Sequence, residues 1–108
     1  MEIVYAGLTP RQPDEAVRPG GEAEVVDALW AHCRPGDGLQ HVSARSEPGR
    51  VDLLLYFLTP SSPDAPGAVQ RAHTLIARSH QASSLLHRRY LPPEPLTAGA
   101  EPAARRTA

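Results

Sequence analysis

Three histidines recur at seven-residue intervals in "RAHTLIARSHQASSLLHRR", residues 71–89: His73, His80 and His87. Imidazole can ligate a metal, relay a proton or carry a pH-dependent charge. On a continuous helix rising about 1.5 Å per residue, successive rings of this series lie ~10.5 Å apart, beyond the reach of one ion. Helical chelation uses i, i+3 or i, i+4 pairs, and no other His, Cys, Asp or Glu in the stretch completes one. The row is expected to border the apolar arc of a helix, with no metal and no cofactor.

The same stretch holds Arg71, Arg78, Arg88 and Arg89 and no acid, whereas residues 1–64 hold ten acids against five arginines. A basic stripe can grip phosphate, and guanidinium pairs equally well with carboxylate. The chain as a whole is formally −1, lacks lysine and offers 5 % aromatics for stacking. A nucleic-acid-binding or regulatory role through the Arg-rich second helix therefore stands as the alternative. The leading expectation is that Arg71, Arg78 and Arg89, which share the helix edge opposite the histidines, meet carboxylates on a protein partner or on Glu22, Glu24 and Asp27.

Catalytic groupings are sparse. His41, Ser43 and Asp52 fall on one predicted sheet face, in the manner of a nucleophile, base and orienter, but no nucleophile elbow accompanies them. His32 and Cys33 are neighbours on a helix and so point in different directions, which does not make a thiolate pair. "RPGG" and "GDG" lack the lysine and spacing of a phosphate-cradling loop. The chain is expected not to be an enzyme.

The elements that place these residues follow from periodicity and punctuation. "MEIVYAGL" (1–8) reads as a strand with Ile3 and Tyr5 on one side and Val4 and Ala6 on the other. After a Pro/Gly loop, Val25, Val26, Leu29, Trp30 and Cys33 form the stripe of an amphipathic helix over 22–33, with Glu22 and Glu24 at its dipole-favoured start. "LQHVSARS" and "VDLLLYFL" flank "EPGR", a turn signal that predicts a hairpin. Setting Glu47 opposite Arg50 pairs Arg45 with Asp52, Ser43 with Leu54 and His41 with Tyr56 on one face. Ala44–Leu53, Val42–Leu55 and Gln40–Phe57 then share the other. From Ala68 to Tyr90 the pattern is that of one long helix, entered through Pro66.

At 108 residues with 41 % apolar content, the chain suits a single α+β domain over 1–91. The Pro/Ala-rich stretch 92–108 reads as a flexible tail. The one cysteine excludes an intramolecular disulfide. The absence of a basic leader or a long apolar run gives a cytoplasmic protein with no membrane role as the expectation.

The order β-α-β-β-α predicts a two-layer plait, ferredoxin-like but lacking its last strand: a three-stranded sheet with two helices on one face. Two surfaces are then left without cover. The outer edge of the first strand would need the tail near Leu96, a twin subunit or another protein. The sheet's far face would carry Leu54, Tyr56 and Leu58 beside His41, an apolar patch suited to association. The sequence thus predicts a non-enzymatic interaction or accessory protein, self-associating as a homodimer or bound to another protein. His41, Leu54, Tyr56 and Leu58 are its first contact set and Arg71, Arg78 and Arg89 a second, charged one.

Overall fold

A computed structural model describes residues 1–12, 20–60 and 62–94. Three strands, β1 (Glu2–Leu8), β2 (Leu39–Glu47) and β3 (Arg50–Phe57), form one antiparallel sheet in the order β1-β3-β2. The helices are α1 (Gly21–Ala31), α2 (Ala68–Ala82) and α3 (Ser84–Arg89), with a 3-10 turn at Pro35–Asp37. The protein is therefore α+β.

Alternation along the strands decides what is buried. Val4, Ala6 and Leu8 of β1, Leu39 and Val42 of β2, and Val51, Leu53, Leu55 and Phe57 of β3 all turn inward. They join Val25 and Leu29 of α1 and Ala72, Leu75 and Ile76 of α2 in one aliphatic core. Of the five residues in the α1 stripe, Val25 and Leu29 are fully buried, whereas Trp30 is exposed and Cys33 lies past the helix end, half-buried.

The β2–β3 hairpin has the expected register from Glu47↔Arg50 to His41↔Tyr56. Gly49, at φ 79°, supplies the left-handed backbone that the third position of its turn requires. The last expected pair, Gln40–Phe57, is not formed. A register shift between Leu39 and His41 sets Leu39 opposite Phe57, so the apolar Leu39 turns into the core and Gln40 stays at the surface.

The long second helix is instead two. Ser83 leaves the helical region (φ −88°, ψ 117°), and its hydroxyl accepts from the Leu86 N–H at 3.2 Å to cap α3. Serine competes with the helical ladder through its own side chain and is favoured at caps, which is the physical reason for the break. The break carries Leu86 and Tyr90 into the core. It also corrects the expected ring spacing: His80 and His87 lie 5.2 Å apart between centroids, not a helical ~10.5 Å.

Beyond α3 the chain runs antiparallel to the segment following β1. Pro10 and Tyr90 form an isolated bridge, Leu91 N donates to Thr9 O, and Arg11 N donates to Arg89 O. The expected cover near Leu96, and the tail from 95 onward, lie outside the described residues.

Candidate interaction surface

The outward side chains of the three strands form a grid on the sheet face opposite the core. Register places Ile3, Tyr56 and His41 in one row, Tyr5, Leu54 and Ser43 in the next, and Gly7, Asp52 and Arg45 in a third. On β1 and β3 the first two rows are apolar and aromatic and on β2 they end in His41 and Ser43, with Ile3 49 % exposed and the rings of His41 and Tyr56 tilted against each other at 5.5 Å. The third row is charged. Arg50 Nε donates to Asp52 Oδ1 at 2.7 Å, and Arg45, whose side chain is 82 % exposed, lies 3.5 Å from Glu47.

Between these rows lies an open groove of about 400 Å³ lined by Tyr5, Ser43, Ala44, Arg45, Asp52, Leu53 and Leu54. Gly7, which adds no side chain, lies in line with Asp52 and Arg45 beside it. Of the catalytic trio weighed from the sequence, Ser43 and Asp52 line this groove and His41 does not. Asp52 is held by Arg50, and His41 leans on Tyr56. Leu58, just past β3, is 52 % exposed.

No protein-family model, curated protein or solved structure matches this chain. What the surface can do rests on its own chemistry.

The arginines expected to form a charged contact row are spent inside the molecule. Arg71 is 8 % exposed, with its guanidinium carbon 5.1 Å from the centre of the Phe57 ring. It donates to three carbonyls: Asp37 O (2.9 Å), Leu58 O (2.9 Å) and Pro66 O (3.1 Å). Gly38 makes room for this. A Cβ there would sit 2.6 Å from Arg71 Nη1, and the backbone is left-handed besides (φ 72°).

Arg78 grips the Asp37 carboxylate with both terminal nitrogens (2.9 and 3.2 Å) and also donates to His32 O. Arg89 pairs with Glu24 of α1 at 2.5 Å, one of the intramolecular partners that the charge pattern allowed. Arg88 is the exposed arginine of the set. Through these bonds Arg71, Arg78 and Arg89 act as ties between α2–α3 and the rest of the fold.

Burial pushes the Asp37 carboxyl up, but the Arg78 hydrogen bonds and the Arg34 N–H (2.7 Å) outweigh it and hold the carboxyl below its ordinary range. Burial and the adjacent Asp37 push the Cys33 thiol up, which keeps it protonated and a poor nucleophile. His80 Nε2 lies 2.9 Å from Tyr90 O, so His80 serves to fasten the chain after α3. No cluster of three or more His, Cys, Asp or Glu with metal-binding geometry occurs among the described residues. No described helix is long and apolar enough to cross a membrane.

Sequence reasoning put Ile3 and Tyr5 on one strand face but left them out of the contact set, although they extend the same patch as Leu54 and Tyr56. The pairing of β1 with β3 is what joins them, and that pairing is non-local. In the sequence Asp37 stands out only as the middle of the "GDG" that lacks the spacing of a phosphate-cradling loop. The available signal was an acid between two glycines in a chain whose second helix has only cations.

Proposed function

We propose that this protein works by association, with the open sheet face as the contact surface and a second copy of the chain as its partner. The fold would then be a ferredoxin-like plait without its last strand, in which helices cover one side of the sheet only. The observation that carries the reading is the row-by-row arrangement of Ile3, Tyr5, Leu54 and Tyr56 on that face, with no described segment laid across it. An apolar patch of this kind beside a polar margin is the usual composition of an interaction site.

A second copy fits because the charged end of the face holds both signs, Arg45 with Asp52 and Glu47, so a two-fold axis sets cations against acids. His41, Leu54, Tyr56 and Leu58 remain its contact residues, joined by Ile3 and Tyr5. Nucleic acid is the poorer partner, because Arg71, Arg78 and Arg89 already donate within the chain.

The test is sedimentation of the native chain beside Tyr56→Glu. A glutamate at the centre of the face should lower the assembly mass while leaving the far-ultraviolet circular dichroism unchanged, because Tyr56 is outside the core. A compact monomer of the same mass in both chains overturns the reading.

A further inference from the structure

A second surface, separate from the sheet face, is the outer edge of β1. In the two-residue hairpin, Glu47↔Arg50 closes the turn, so the even residues of β3 direct their backbone groups at β2 and the odd ones at β1. The register of β1 with β3 pairs odd residues of β3 with even residues of β1. The N–H and C=O groups of Ile3, Tyr5 and Gly7 therefore face away from the sheet. Leu91 N donating to Thr9 O, the next odd position, places the outer side in the same way.

This edge lacks the usual protections. β1 reads EIVYAGL, with no proline, and its one charge, Glu2, is at the end and lies 3.9 Å from Arg71. By contrast, the β2 edge is capped where Ser46 N donates to the Glu22 carboxylate at 2.6 Å. The chain's own C-terminal segment starts to pair at Thr9 and Pro10. Continued in that register, the positions whose N–H must reach Gly7 O and Tyr5 O are 93 and 95, and both are proline. Proline has no N–H, so neither position could donate to the edge in that register.

Gly7 supplies a further clue. It is not in the left-handed region, and a Cβ there would meet Val51 O at an ordinary 3.6 Å. Its own fold does not require glycine, which weakens a strand and marks sites of close approach by another chain. A two-fold axis at Tyr5 sets Ile3 of each strand opposite Gly7 of the other, so that the exposed Ile3 fills the space left by the missing side chain. The same register separates the two Glu2 carboxylates to opposite ends.

We propose that the outer edge of β1 is a strand-addition site for β1 of a second copy, antiparallel about Tyr5, with Ile3 seated over Gly7 of its mate. Six backbone hydrogen bonds would be formed by the three outward residues of each strand. Two three-stranded sheets would become one of six strands.

Cysteine cross-linking tests this apart from the face contact. Across an antiparallel hydrogen-bonded pair, Cα atoms lie about 5.5 Å apart, within disulfide reach, whereas sheets packed face to face lie about 10 Å apart. In a Cys33→Ser background, mild oxidation should link Tyr5→Cys to itself. Ile3→Cys should link only when mixed with Gly7→Cys. Absence of the Tyr5→Cys link, or self-linking at positions 3 and 7, overturns the proposal whatever becomes of the sheet face.

Gly7→Val should remain folded and weaken the edge association by roughly tenfold or more, and Ile3→Ala added to Gly7→Val should restore most of it. If Gly7→Val associates as the native chain does, the register is wrong.

Discussion

Asp37 and Arg78 offer a worked test of what holds the 3-10 turn against α2. Their side chains are 9 % and 19 % exposed, and the carboxylate receives both terminal nitrogens of the guanidinium along with the Arg34 N–H. Removing one member of such a pair strands the other charge, at a cost of about 3–5 kcal/mol. Arg78→Met leaves Asp37 with a single backbone donor, so a loss near ~4 kcal/mol is expected. Asp37→Asn should cost less, ~2–3 kcal/mol, because an amide oxygen still accepts from Arg34 N and Arg78 also holds His32 O.

In the double variant no charge is stranded, so the two losses should fall short of additive by about 2 kcal/mol. For a domain of this size, each kcal/mol moves the melting temperature by roughly 4–8 °C. Urea unfolding of the four chains, followed by circular dichroism, gives the coupling directly. Coupling below about 0.5 kcal/mol, the scatter expected of independent sites, refutes the reasoning.

Two further outcomes follow from the same interior. Because the folded Asp37 carboxyl is held below its unfolded value of about 3.9, its stabilisation is fully present above that pH and is lost as pH falls through the folded value. Acid unfolding below about pH 4 should therefore be less steep in Asp37→Asn, as read by pH titration of the unfolding midpoint. Ser79 is fully buried with no hydrogen-bond partner for its Oγ among the described residues, so Ser79→Ala should raise stability by about 1 kcal/mol in urea unfolding; a clear loss would show that the hydroxyl is satisfied.

The hairpin was legible because its information is local: Pro48–Gly49 fixes the turn, and alternation fixes the faces from Val42 to Leu55. The bulge at Leu39 was hidden because it answers to the core, which draws Leu39 inward at the expense of simple pairing with Gln40. The break at Ser83 was missed for a related reason. Both sides of it continue an apolar helical pattern, and only the gain from seating Leu86 and Tyr90 separates one helix from two. The open face was visible in β3, whose unbroken apolar run allowed burial on both sides.

The arginines misled because composition records charge but not destination. Four cations without an acid nearby in sequence look like an exposed stripe, yet Asp37, Glu24 and three backbone carbonyls take up Arg71, Arg78 and Arg89 and leave Arg88 at the surface.

The Arg71 guanidinium gathers carbonyls from residues 37, 58 and 66, the first just before β2 and the other two near opposite ends of the single connection from β3 to α2. Ordinary loops breathe one at a time. Here the entrance to β2, the exit from β3 and the approach to α2 share one buried cation, so releasing any one strips it of a ligand while it remains sealed beneath Phe57. Amide exchange in these connections should follow opening of the whole domain rather than private local motion, giving the surface loops of a small protein the cooperativity of its interior.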